Sequence, residues 1–198
     1  LQPLSGSDIQ CYLDNGVQIY HIIEAIVQQI GRCVLINATF SVAEEFCRAI
    51  YRLKRSGLIS YAVEIADIKA TLKTVRVNAF MRAVFDEVYL SSNHAKFVLL
   101  ANDRYQVAVV TSQNQTRGNR YEVGIISTSP IVYEYLYRQA STLMREEAMM
   151  IDNNGTTTQI SAPAVGGGVL SGRPRPSGGD GGRAHAPLGH RHADRRER

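Results

Sequence analysis

The sequence predicts an α/β protein, a mixed β-sheet flanked by helices, and three observations carry that prediction. Through the first half, β-branched runs alternate with stretches whose apolar residues recur every three or four positions, as strands and amphipathic helices do in turn. Near the middle, two apolar runs, Phe97 to Ala101 and Tyr105 to Val110, are separated only by Asn102, Asp103 and Arg104, which is a hairpin composition and requires an antiparallel pair. From Asp152 onward aromatic residues cease, and 10 of the 16 glycines and 4 of the 6 prolines accumulate. Such a segment buries too little apolar surface to offset the ordering of its backbone. The folded domain is therefore expected at residues 1–150 and a disordered Gly/Pro/Arg-rich tail at 151–198.

Each element has its own signal. Leu1 to Gly16 reads as irregular, ending in the turn Asp14-Asn15-Gly16. Ile19, Ile22, Ile23, Ile26, Val27 and Ile30 form one helical stripe that Gly31 closes as a C-cap, and His21, off that stripe, reads as a surface residue ahead of a second catalytic histidine. Cys33 to Phe40 is a strand. Ser41 with Glu44 looks like a capping box for a helix with Val42, Phe46, Ile50 and Leu53 inward, stopped by Gly57. Its Arg52, Lys54 and Arg55 suit the negative end of the helix dipole, a reading preferred over phosphate contact. Ile59 to Asp67 is a buried strand, Ala70 to Val84 a helix with Leu72, Val75, Ala79 and Ala83 inward, and Phe85 to Leu90 a strand entering the loop Ser91 to Asn93. Tyr121 to Ser127 adds a strand. Ser129-Pro130 opens a last helix, with Val132, Leu136, Ala140 and Leu143 inward, that runs to about Met150, and its Tyr133, Tyr135 and Tyr137 read as core or interface residues.

Composition narrows the classes of function. The chain has 198 residues, 44% of them hydrophobic, but no apolar run approaches the roughly 18 residues of a membrane span, so no stable membrane insertion is expected. No signal peptide opens the sequence, which begins with Leu1. Cys11, Cys33 and Cys47 are odd in number, widely spaced and without a nearby histidine pair, against both a disulfide framework and a zinc site; a reduced cytoplasmic setting is expected, with Cys33 and Cys47 as small buried hydrophobes. Neither a metal nor a cofactor is expected. Most of the formal charge of +4 belongs to the tail, with its seven arginines against four acidic residues, and such a basic segment suits a nucleic-acid partner. His185, His190 and His192, within that biased tail, read as solvated rather than as metal ligands.

Candidate chemistry gathers around the hairpin. Counting outward from a turn near Asp103 sets His94 about opposite Ser112, with Lys96 on the face of His94, and Asn114 on the face of Ser112. A nucleophile or base, a fixed cation, a hydroxyl and an amide would then meet at one end of two apolar strands, as an anion site requires.

The order of these residues, His-Ala-Lys at 94–96, an apolar strand, Thr-Ser-Gln-Asn at 111–114 and Arg-Gly-Asn-Arg-Tyr-Glu at 117–122, resembles the signature of the phospholipase D superfamily, and among its members the small ones that carry one motif copy and cut nucleic acid. The resemblance spans roughly Val34 to Met144. It departs at Ala101, where the family often has Asp, and at Thr111, where it usually has Gly; Asp103 is better explained as a turn residue. The resemblance implies a phospholipase D-like fold and phosphodiester cleavage that needs no metal. His94 would attack phosphorus and form a phosphohistidine. Lys96 and Asn114 would hold the nonbridging oxygens, Ser112 would add a donor and Glu122 would orient the imidazole; Asn119 and Arg120 would reach further phosphate, and Arg117 reads as solvated. A single motif copy further implies a homodimer, with His94 of a second subunit as the acid and base. The expected substrate is nucleic acid, DNA ahead of RNA. The alternatives are a phospholipid-acting phosphodiesterase and, favoured by Ala101 and Thr111, an inactive binding or assembly module.

Overall fold

Apolar stripes and β-branched runs fold as their spacing dictates in a computed structural model that describes residues 1–72, 75–151 and 156–159. Helix α1 (Ile19–Ile30) buries its whole predicted stripe and ends at Gly31, whose φ of 79° only glycine adopts without strain. Helix α2 (Glu44–Arg55) buries Phe46, Cys47, Ile50 and Leu53. These helices cover one face of a sheet whose inner strands are β2 (Cys33–Thr39), β3 (Ile59–Asp67) and β4 (Glu87–Ser91), all parallel. Strands β5 (Phe97–Ala101), β6 (Gln106–Thr111) and β7 (Glu122–Ser127) extend the sheet antiparallel on one side, and helix α5 (Pro130–Glu146) packs on the opposite face with Tyr133 and Ala140 buried. The two faces hold separate apolar clusters, so the expected α/β class with a mixed sheet between helices is what forms.

Several local readings change. Residues Ile9–Asp14 form strand β1, the edge of the sheet beside β7, where irregular chain was expected; only alternate side chains are half-buried, which leaves a weak apolar pattern. Past residue 150, the expected domain boundary, β8 (Met149–Ile151) pairs with β4 and β9 (Thr157–Gln159) pairs with β8. The described strands thus make one nine-stranded sheet in the order β1-β7-β6-β5-β2-β3-β4-β8-β9. The rest of the expected tail, its histidines included, lies outside the described residues. Ser41 caps nothing: Ala43 is the N-cap of α2, because the Ser41 carbonyl and the Ala43 N–H are taken by the backbone of Gln115. The predicted helix from Ala70 to Val84 appears as α3 (Ile68–Leu72) and α4 (Val75–Val84). Ala79 and Ala83 are exposed there and the larger Met81 and Val84 are buried instead, while the side chains of Leu72 and Val75 lie outside the described set. In α5, Val132 is exposed and Tyr133 takes the inward place.

The basic end of α2 makes local contacts. Lys54 pairs with Asp86 at 2.6 Å, Arg52 with Glu24 at 3.4 Å, and the Arg55 guanidinium lies over the Tyr51 ring. Burial pushes the Cys33 thiol up to about 11 and, with help from the charge of Glu64, the Cys47 thiol up to about 12, which leaves both as inert apolar groups at neutral pH. Among the described residues no helix is long and apolar enough to cross a membrane.

Candidate active site

Three parallel strands, β2, β3 and β4, end side by side at Thr39, Asp67 and Ser91, and the chain leaving β4 must pass over those ends to enter β5. Carboxyl ends of parallel strands carry unpaired backbone groups, which is why loops and ligands collect there. Here Asn93 satisfies them. Its side-chain N–H groups donate to the carbonyls of Thr39 and Ile65, both at 3.3 Å, its side-chain oxygen accepts from the Ala95 N–H at 2.9 Å, and its backbone N–H donates to Asp67 at 3.3 Å. The other carboxylate oxygen of Asp67 accepts the first N–H groups of α3, from Lys69 and Ala70, at 2.9 Å each. His94 thus rises from a loop fastened on both sides, with its ring exposed and 5.1 Å from the ring of Phe40.

Lys96 bends back toward this histidine. Its ammonium donates to the His94 carbonyl at 2.9 Å and stands 3.3 Å from the imidazole Nδ1. Partial burial lowers the Lys96 pKa, and the charge of Glu122 works in the opposite direction.

The hairpin register is one residue away from the expected one. Asn102 pairs its backbone N–H with the Tyr105 carbonyl and accepts the Arg104 and Tyr105 N–H groups on its side chain, leaving a two-residue loop, Asp103-Arg104. Phe97 therefore faces Val110, and the Lys96 carbonyl accepts from Thr111, so His94 is not opposite Ser112. The residues converge nonetheless, because both strands have ended before the motif residues are reached. His94, Lys96, Ser112, Asn114 and Glu122 open on one cavity of about 740 Å³, together with Arg120. Tyr121 and Val123, unremarked in the sequence, form another wall. Asn119 is exposed and is not among the residues lining that cavity, and Arg117 lines a separate small pocket beside Tyr20. His21 is remote in role: its Nδ1 accepts the Gln18 N–H at 3.2 Å in a capping box for α1.

Glu122 is differently placed from expectation. Its carboxylate accepts a hydrogen bond from the Ser112 hydroxyl, not from His94, and the same hydroxyl oxygen accepts the Val123 N–H at 3.0 Å. A hydroxyl held this way is oriented by the carboxylate and ties the start of β7 to the end of β6.

Thr111 has a partner that explains the absence of glycine. Tyr12 of β1 crosses β7 above Gly124 and sets its hydroxyl 2.7 Å from the Thr111 hydroxyl and 3.2 Å from Gln113. A side chain at Gly124 would collide with the Tyr12 ring, so β7 needs glycine at this crossing. Gly124→Val is expected to expel Tyr12 from its site and to destabilise the protein by about 1–3 kcal/mol. In a denaturant titration the same change made on Tyr12→Ala should cost less than half as much; additive effects would show that the ring crossing is not what glycine serves. Ala101, the other departure from the motif, sits at the turn end of β5, on the order of 17 Å along the strand from Lys96, and does not line the cavity.

This architecture has close counterparts among solved structures. Nuc from Salmonella typhimurium, a phospholipase D family member, superposes with a TM-score of 0.57 over 70% of this chain and 95% of its own, at 13% identity. The chain has the phospholipase D fold. NucT from Helicobacter pylori matches over 71% of this chain and 98% of its own at 13% identity and a TM-score of 0.54. Phosphatidylserine synthase from Haemophilus influenzae Rd KW20 matches over 72% of this chain but 39% of its own, at 14% identity and a TM-score of 0.53. No protein-family model and no curated sequence matches the chain. Within the phospholipase D fold, the cavity lies at the strand ends that carry the His94 loop.

Proposed function

We propose that this protein is a metal-independent phosphodiesterase acting on nucleic acid, DNA in preference to RNA, through a phosphohistidine at His94 and an active site completed by a second subunit. The observation that carries the reading is the Lys96 ammonium poised against His94 in a cavity that also receives Ser112, Asn114, Glu122 and Arg120. The barrier to phosphodiester cleavage is the approach of a nucleophile to a phosphorus ringed by negative oxygens, and preorganised cations and donors lower it. The neutral His94 imidazole attacks phosphorus, forming a P–N bond as the P–O bond to the leaving oxygen breaks. Lys96, Arg120 and the Asn114 amide hold the nonbridging oxygens, and Ser112, oriented by Glu122, adds a hydroxyl. In the second step water attacks phosphorus, the P–N bond breaks and the imidazole is restored.

The leaving oxygen needs a proton, and the water must lose one; a second histidine suits both steps. With His21 occupied in a helix cap, His94 of another copy is assigned this role. The surface is suited to the contact. Leu13, Val123, Ile125 and Val110 are exposed on one face of β1, β7 and β6, with Leu13 beside Val123 and Val110 beside Ile125 in register, and Val123 also walls the cavity. A two-fold axis across this face would bring two cavities together.

The reading is tested by incubating the protein with DNA, RNA and phosphatidylcholine in EDTA, and by mixing wild type with excess His94→Ala subunits under exchange. DNA cleavage without added metal, and a fall in activity per wild-type subunit as heterodimers form, are expected. A fully active monomer, or wild-type activity unaffected by mixing, would refute the shared site; cleavage of lipid alone would transfer the reading to phospholipid.

A further inference from the structure

Among the described residues one acid is wholly removed from solvent with no ion pair. Glu64, in the middle of β3, is wholly removed from solvent. In register with it are Asn37 of β2, itself fully buried, and Val88 of β4. Helix α2 contributes the Cys47 thiol, which feels the Glu64 charge, and the segment after β6 contributes Gln115, 4% exposed. Asn37 and Gln115 stand near enough to favour the carboxylate, but burial prevails and pushes the carboxyl up to about 8. Eight buried side-chain polar atoms lack a hydrogen-bond partner of normal geometry among the described residues. Six belong to Asn37, Glu64 and Gln115, and a seventh is the side-chain oxygen of Asn114. Unsatisfied buried groups concentrated in this way mark a site where a small movement makes or breaks several bonds together.

Gln115 connects this cluster to the cavity. Its backbone is pinned by the Ser41 carbonyl at 3.1 Å, the Ala43 N–H at 2.9 Å and the Thr39 hydroxyl at 3.3 Å, and Asn114, the residue before it, opens on the cavity. A protonated carboxyl offers one donor and one acceptor, which matches a primary amide, whereas a carboxylate only accepts. We propose that Glu64 is a positioning residue: carrying its proton, it pairs with the Gln115 amide and holds the 112–116 segment so that Asn114 faces the cavity, and the segment rearranges when that proton leaves. Only the kinetic consequence rests on the phosphodiesterase reading.

The experiment follows the Asn114 and Gln115 backbone amides of the full-length ¹⁵N-labelled protein by NMR between pH 6.5 and 9.5, in wild type and Glu64→Gln. Both signals are expected to move with a midpoint near 8 in wild type and to stay fixed in the variant. Movement that persists in Glu64→Gln, as titration of Lys96 would produce, or no movement in wild type, would overturn the proposal. Stability has a definite sign. Because the folded-state value is raised, the contribution of Glu64 is complete below 4.5 and is lost as pH rises toward 8, so the Tm of wild type should fall through that window relative to Glu64→Gln. In cleavage assays Glu64→Gln should rescue the pH 7 rate that Glu64→Leu loses by tenfold or more, and should outpace wild type above pH 8. Absence of cleavage in all variants at every pH would remove the phosphodiesterase reading and leave the NMR result to decide the role of Glu64.

Discussion

His94→Ala is expected to lower phosphodiester cleavage by at least about 10³-fold without unfolding the protein, because under the proposed mechanism it removes the nucleophile itself and not an auxiliary contact. The imidazole is exposed and, among the described residues, has Phe40 as its aromatic neighbour, so little packing is lost with it. Lys96→Ala is expected to cost about 10²- to 10³-fold, the usual consequence of deleting a preorganised donor that faces developing charge. Lys96→Arg should not restore the rate, since a planar guanidinium cannot donate at one point to both the His94 carbonyl and Nδ1. Turnover measured in EDTA, with circular dichroism to establish folding, separates these outcomes. Unchanged turnover in a folded His94→Ala protein would end the proposed mechanism.

The second large effect is expected one residue earlier. Asn93 is buried and makes four hydrogen bonds that fasten the His94 loop to the ends of β2 and β3. The side chain accounts for three of them. Asn93→Ala would leave the Thr39 and Ile65 carbonyls and the Ala95 N–H without these partners, at a cost of about 2–4 kcal/mol. Asn93→Asp offers no rescue: it cannot donate to either carbonyl, and it sets a negative charge beside Asp67. Cleavage should fall by about 10²-fold in both variants through loss of His94 placement, with substrate affinity changed far less. A chemical-denaturation midpoint equal to that of wild type in Asn93→Ala would contradict this account of the loop.

What the sequence disclosed depended on how locally each feature is determined. The α1 stripe and its Gly31 cap are settled within a dozen residues, and were legible. That His94, Lys96, Ser112, Asn114 and Glu122 share one cavity was legible from a linear order of residue types, though the register was not: Asn102 folding back on the Tyr105 N–H shortens the turn by one residue. Strand β1 went unread because an edge strand with Ile9 and Leu13 in solvent has no buried face to reveal it. Ser41 failed as a cap because Gln115, 74 positions away in the chain, recruits its carbonyl. Asn93 and Asp67 were overlooked for the same reason, since their function exists only once parallel strands end together. The Glu122–Ser112 hydrogen bond belongs to this class as well. Glu64 left a signal that could have been used: a lone acid in the middle of the otherwise apolar Ala62 to Ala66 demands a partner or a proton.

The central claim is a covalent bond between His94 and phosphorus. Its most direct test is to mix the protein with a short labelled DNA substrate, quench in alkali within the first turnover so that the acid-labile P–N bond survives, and locate any adduct by peptide mass spectrometry. The account predicts a phosphate-linked oligonucleotide on the peptide containing His94, formed and consumed at the rate of cleavage and absent from His94→Ala. Cleavage that proceeds with no adduct on His94 at any time, or an adduct on another residue that turns over at the cleavage rate, would contradict it.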